Sequence, residues 1–188
     1  GLNVQPGLGK SWKGGAIYCD PRTADLGCRA ILPKASAKEE LGTWKLGSGD
    51  LAEYHKRRIE LGVPDGSRDM VVEKSILLEN NFDQLNGVDW EKGCYVGQEL
   101  TARTKYRGLI KKRLMPVEFD GVTPATGSPI SLEGRDAGEI RSVQDNVGLA
   151  LLRLAKIEEA KESGQPLIAE DTRIIPKLPI GTLDNVNQ

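Results

Sequence analysis

Histidine is almost absent from this chain and cysteine is scarce. Its 188 residues include one His, His55, and three Cys: Cys19, Cys28 and Cys94. No two cysteines form a Cys-x-x-Cys pair, so the sequence cannot supply a tetrahedral zinc site or a four-cysteine cluster cage by itself. An odd cysteine count also argues against a disulfide framework and points to a reducing compartment. Any run of about eighteen apolar residues, the length needed to cross a bilayer as a helix, is missing too, and the sequence reads as soluble. An excess of one charge sign is lacking as well. With a formal net charge of -1, no global field recruits nucleic acid or an anionic membrane, and partners must be sought locally. The opening "GLNVQPGLGKSWKGG" has neither the plan of a secretory signal nor that of an Arg-rich transit peptide. This is expected if a targeting segment has been removed or if the chain begins inside a larger protein.

What is present suits a loop-rich α+β protein with room for one large domain or one and a half smaller ones. Three zones are expected: 1–48, 49–108 and 109–188. In the first, "GAIYCDPRTADLGCRAILP" has two apolar runs around a "DPRT" turn and predicts two strands. Cys19 and Cys28 sit in those runs and are expected to be small buried hydrophobes.

The second zone opens with a helix in "SGDLAEYHKRRIELGVP". Asp50 is a suitable N-cap, Glu53 stands at capping-box spacing, Gly62 suits the C-terminal cap, and Pro64 prevents continuation. Leu51, Tyr54, His55 and Ile59 can share an apolar face at helical spacing. His55 reads as a face residue rather than a ligand, because no carboxylate or cysteine stands at ligand spacing from it.

In the third zone "LIKKRLMPVEF" alternates apolar and charged residues and predicts a strand. Further strands are expected at "SPISL", "GEIRSV", "VGLALLRL", "PLIAE" and "TRIIPKLP", with a helix at "AKIEEAKES". Short strands separated by Gly-rich turns predict a small antiparallel barrel or sandwich with one helical excursion.

The densest chemistry lies in "KGCYVGQELTARTKYRG", residues 92–108. Gly93 and Gly97 bracket Cys94, allowing a tight turn and close approach by another molecule. Good helix formers follow Gly97, so Cys94 is expected just before a helix N-terminus, where the dipole and Lys92 favour the thiolate, the form that attacks and binds metals. A buried structural role is the alternative. From Arg103 to Arg113 there are six cations and no acid: Arg103, Lys105, Arg107, Lys111, Lys112 and Arg113. Such a run can hold an anion, but nucleic-acid binding is poorly supported, because only Tyr106 interleaves as a stacking aromatic.

This segment resembles the signature of the YgfZ/GcvT family, in its mitochondrial branch. "DPRTADLGCR", "YHKRRIELGVPDGSRD", "LLENNFDQLNGV", "IKKRLMPV" and "DNVGLALL" resemble the same family in the same order, over about residues 17 to 155. The resemblance implies part of a three-lobed cloverleaf like that of the glycine-cleavage aminomethyltransferases, ending in a small β-barrel, with much of the first lobe not represented in this chain. It also implies a non-enzymatic late step in assembling [4Fe-4S] proteins of the mitochondrial matrix, alongside A-type scaffold proteins. Cys94 would then share ligation of a [2Fe-2S] cluster whose other ligands come from the partner. Lys92, Gln98 and Arg103 would shape its surroundings, Gln98 and Glu99 orienting the loop and Arg103 pairing with Glu99. The rival implication is tetrahydrofolate binding. The corresponding stretch in the transferases places an arginine toward the folate tail and a glutamate toward the pterin; Arg68 and Glu79 fall at those positions here.

Overall fold

The computed structural model describes residues 5–106, 108 and 110–178. The chain divides into two units, Gly1–Tyr54 and His55–Gln188.

In the first unit the expected strand pair forms around the "DPRT" turn as β2 (Gly15–Cys19) and β3 (Cys28–Ile31). A third strand, β1 (Gly9–Trp12), joins the other edge of β2, giving the antiparallel order β1-β2-β3. The turn is held by Asp20, whose buried carboxylate accepts from the Arg22 backbone and side chain and from Arg29. A short helix, α1 (Ala37–Thr43), follows, and its Glu40 accepts from the Trp12 indole and pairs with Lys13. One expectation fails here: Cys19 is buried but Cys28 is exposed. β3 is exposed along its length, so the apolar character of its sequence does not translate into burial.

The division falls within α2 (Leu51–Glu60). Asp50 caps it through the Ala52 N–H, and Gly62, at φ 71°, closes it with a bond to the Ile59 carbonyl. The face differs from that drawn by apolar spacing. Leu51 and Tyr54 are exposed, whereas Arg58 and Ile59 are buried. The cause is a polar cluster. Arg58 donates to Asp69 (2.7 Å), to the Val63 carbonyl (3.2 Å) and to the Ser142 hydroxyl (3.0 Å), which satisfies a guanidinium that could not otherwise be buried.

The second unit ends in a closed antiparallel barrel of β4 (Lys112–Asp120), β5 (Pro129–Leu132), β6 (Arg135–Gln144), β7 (Val147–Arg153), β8 (Leu167–Ala169) and β9 (Thr172–Pro176), in the order β4-β7-β6-β5-β8-β9. The pairing of β4 with β9 closes the ring and removes the free edges. A helix, α4 (Leu154–Ser163), forms the excursion between β7 and β8. Period-two alternation sends Met115, Val117 and Phe119 inward to meet Ile130, Leu132, Ile140 and Leu152. Leu114 and Leu149 instead join Ile59 in a second cluster. A bulge between Ile140 and Ser142 re-aims β6. Ser142 therefore pairs with Leu149 and leaves the interior occupied by Ile140, which brings its hydroxyl to Arg58 and Asp69. β4 begins at Lys112, three residues later than the alternating pattern suggested, and Arg107 and Leu109 lie outside the described residues.

Candidate functional site

Between α2 and α3 (Gln98–Tyr106) the chain runs mostly through turns, with a 3-10 turn at Leu78–Asn80. Two anchors fix this stretch to the barrel unit. Asn81, buried and at φ 65°, donates to the carbonyls of Gly62 (3.0 Å) and Leu114 (2.8 Å). Asp83 takes a two-point contact from Arg113 (2.8 and 3.3 Å).

The signature segment then emerges into solvent. The carboxylate of Asp89 accepts from the N–H groups of Glu91 and Lys92 and turns the chain toward Cys94. Cys94 is exposed, four residues before α3 begins. Gly97, at φ 88°, takes the left-handed conformation that starts the helix, and its carbonyl accepts the N–H and hydroxyl of Thr101. Around Gly93 a methyl group would meet nothing within 4 Å, so the approach to Cys94 is open on that side. Val96 and Leu100 are exposed on the same segment.

The neighbouring cations are largely occupied within the chain. Lys92 lies 4.5 Å from the centre of the Tyr95 ring and Lys105 lies 3.8 Å from that of Trp90, both at cation–π distance. Arg103 pairs with Glu99 one turn earlier, as their spacing implies. Arg113, expected on a solvated strand face, is mostly buried against Asp83. Of the six-cation run, Arg107 lies outside the described residues and Lys112 lines a cavity together with Glu79.

Glu79 borders a separate cavity of about 340 Å³ with Val71, Lys74, Ser75, Lys112 and Arg141. Burial pushes its carboxyl above the ordinary range, and the charges of Lys112 and Arg153 oppose that rise. Arg68 does not line this cavity. It is exposed and stands 3.8 Å from Asp65. Gln98 is half-buried at the start of α3 and lines neither feature. The structure thus gathers Lys92, Cys94, Gln98, Glu99 and Arg103 into one continuous segment, with Glu79 in a cavity and Arg68 apart from it. Sequence reasoning missed the Asn81 and Asp83 anchors; the signal available was the pair of asparagines within "LLENNFD", a residue type that tolerates the left-handed conformation.

Among the described residues no group of three or more His, Cys, Asp or Glu side chains converges in a way that could hold a metal ion. No helix among them is long and apolar enough to cross a membrane.

Residues 111–180 match the family model of the CAF17 C-terminal beta-barrel domain. The iron-sulfur cluster assembly factor IBA57, mitochondrial, of Mus musculus is 42% identical over 170 residues, covering 84% of this chain and 45% of that protein. Its Homo sapiens counterpart is 42% identical over 161 residues, covering 80% and 44%. The IBA57 homolog, mitochondrial, of Mycosarcoma maydis is 37% identical over 180 residues, covering 78% and 44%. The chain therefore spans just under half the length of these curated relatives. Among solved structures, glycine cleavage system aminomethyltransferase T from Bartonella henselae superposes with a TM-score of 0.64 at 16% identity, over 92% of this chain and 51% of that one, a likeness of fold alone. With its closed six-stranded antiparallel barrel and the sequence it shares with these relatives, the chain belongs, over the part it spans, to the family of the mitochondrial IBA57-type iron–sulfur cluster assembly factors.

Proposed function

We propose that this chain serves the late assembly of mitochondrial [4Fe-4S] proteins, in the matrix, by presenting Cys94 to a cluster carried by an A-type scaffold protein. The observation that carries the reading is the isolation of an exposed thiol. Cys94 stands four residues before α3 with open space at Gly93, and among the described residues it belongs to no group of three or more His, Cys, Asp or Glu side chains that could hold a metal ion. One thiolate cannot hold a [2Fe-2S] cargo alone, because each iron needs four ligands, but it can complete a set otherwise supplied by a partner. Exposed Val96 and Leu100 beside it give that partner apolar surface to cover, forming a heterodimer around the shared cluster. The cation–π contacts of Lys92 and Lys105 and the Arg103–Glu99 pair brace the segment, so the thiol is offered on a preformed loop. The clients of such a step are [4Fe-4S] enzymes of the aconitase and lipoate or biotin synthase types. Chemistry on a substrate is not part of this role.

The test is anaerobic reconstitution of the complete protein with an A-type scaffold, iron and sulfide, followed by visible circular dichroism. The partner-dependent signal is expected to vanish in Cys94→Ser. Persistence of an unchanged signal would refute shared ligation.

A second reading is favoured by the Glu79 cavity. A carboxyl raised by burial, with Lys112 and Arg141 beside it, fits the hydrogen-bonding edge of an aminopterin in part. Arg68 does not border that space, so the tail of a bound tetrahydrofolate would meet Lys74 or Lys112 instead. Tetrahydrofolate titration distinguishes the readings: loss of binding in Glu79→Ala with Arg68→Ala unaffected supports the cavity, and no binding in the wild type rejects it.

A further inference from the structure

Cys19 and Cys28 are nine residues apart in sequence but stand directly opposite each other on β2 and β3. The ladder on either side defines what kind of pair they form. The N–H of Cys19 points away from β3 and bonds the Leu8 carbonyl at 2.9 Å, while the next residue, Asp20, donates to Gly27 across the β2–β3 pair at 2.9 Å. Cys19 and Cys28 therefore occupy a non-hydrogen-bonded position, where opposed Cα atoms approach to about 4.5 Å and side chains on one face come closest. That separation lies within the window a disulfide requires, roughly 4.4 to 6.8 Å between Cα atoms. The two thiols also differ in a useful way, since Cys19 is fully buried and Cys28 exposed.

The exposed thiol opens into a space of about 570 Å³ walled by Trp12, Ile17, Trp44 and Leu46, with Lys10 and Arg29 as its cations. Arg29 is tied back to Asp20 and Tyr54, whereas Lys10 reaches over the Trp12 ring. An apolar wall with cations beside a thiol suits a small, anionic, sulfur-bearing molecule.

We propose that Cys19 and Cys28 form a redox-active cross-strand dithiol that reacts with anionic low-molecular-weight disulfides of the glutathione class, a site separate from Cys94. Cys28 attacks one sulfur of R–S–S–R as the thiolate, forming a Cys28–S–S–R bond and releasing R–S⁻, which takes up a proton. Cys19 then gives up its proton and attacks the Cys28 sulfur, closing the Cys19–Cys28 bond and releasing the second R–S⁻. Two protein thiols are oxidised by two electrons, and one small disulfide is reduced to two thiols. The order follows from exposure, and burial pushes the Cys19 thiol up, which suits the resolving rather than the attacking partner. Closure clamps the Asp20–Gly27 connection at both ends.

The folded 188-residue chain is treated with glutathione disulfide, the remaining thiols are blocked, and the protein is digested with trypsin without reduction. Arg22 lies between the two cysteines and its peptide bond to Thr23 is cleavable, so the bridge appears as a peptide containing Cys19 joined to one containing Cys28. This joined peptide is expected as the main product in the wild type and in Cys94→Ser. Cys19→Ser is expected to stop at a glutathione adduct on Cys28. Lys10→Gln is expected to slow the reaction with glutathione disulfide about two- to fivefold, the scale of one exposed charge pair, without slowing that with neutral hydroxyethyl disulfide. A wild-type product that stops at the Cys28 adduct overturns the dithiol, as does a joined peptide that forms no faster in the folded chain than in urea. Equal slowing with both reagents overturns the anionic preference.

Discussion

Replacing Arg58 with alanine should be among the most damaging single changes in the barrel unit, and the structure sets its scale. The side chains of Arg58 and Asp69 are 2% and 0% exposed. Asp69 accepts from Arg58 at 2.7 Å and from the Asp65 N–H at 2.7 Å, and the Ser142 hydroxyl donates to its other oxygen. Arg58→Ala leaves a buried carboxylate with two neutral donors and no countercharge, and also strands the Val63 carbonyl that the guanidinium satisfies. Breaking a buried pair from one side typically costs about 3–5 kcal/mol, most of it the unpaired charge left behind. The assay is urea unfolding of the whole chain followed by far-ultraviolet circular dichroism, comparing wild type, Arg58→Ala, Asp69→Ala and the apolar double variant R58M/D69L. Each single change should cost about 3–5 kcal/mol, while the double variant, which buries no charge, should recover most of the loss. A single-variant loss below about 1 kcal/mol would refute the argument, because it would mean that the pair is hydrated or that the helix end is not held by it. A double variant as unstable as either single change would show that the cluster matters through shape rather than charge.

Other consequences can be checked with the same preparations. Burial pushes the Asp20 carboxyl up, but the hydrogen bonds from Arg22 and Arg29 outweigh it and hold the group at about 2 against an ordinary 3.8. A depressed folded-state value means a stabilisation present above about pH 4 and lost as pH falls toward 2, worth about 2 kcal/mol. Asp20→Asn should accordingly flatten the acid limb of a stability–pH curve, and an unchanged limb would contradict the assignment. Asn81→Ala strands two buried carbonyls and places alanine at φ 65°, and should cost about 3 kcal/mol, with Asn81→Gly recovering about 1 kcal/mol of backbone strain in thermal melts. Cys94→Ser, an exposed change, should shift stability by no more than about 0.5 kcal/mol while removing the partner-dependent cluster signal, so a large loss of stability would place Cys94 in the fold rather than in the transfer.

The barrel was the most legible part of the fold because each strand announces itself locally. Met115, Val117 and Phe119 alternate with charged or outward residues, and Gly-bearing turns separate most of the strands. The α2 caps were legible for the same reason, since Asp50 and Gly62 act within one turn of their own positions. What stayed hidden depends on partners far along the chain. No local pattern shows that Arg58 is buried, because beyond the nearby acceptors His55 and Val63 its burial rests on Asp69 and Ser142, 11 and 84 residues away. Apolar spacing therefore drew the wrong face through Leu51 and Tyr54. β1 was missed because its exposed "GKSW" carries almost no apolar periodicity; it is a strand only because β2 offers it an edge.

The candidate site shows the same division between local and distant causes. The position of Cys94 before a helix follows from Gly97 and the helix formers after it, all within a dozen residues. The fate of the cations does not. The six cations from Arg103 to Arg113 read as a surface for an anion, yet Arg113 turns inward to Asp83 thirty residues earlier, Arg103 pairs with Glu99, and Lys105 settles on the Trp90 ring. Their positive charge thereby stiffens the segment rather than attracting a polyanion. What remains open beside Cys94 is the apolar surface of Val96 and Leu100 and the space at Gly93. That combination fits the ligand-donating loop proposed above: a braced backbone, one free sulfur, and neighbours that gain by being covered. Under the proposed role one well-placed thiol suffices, and additional ligands around it would compete with the partner for the cluster.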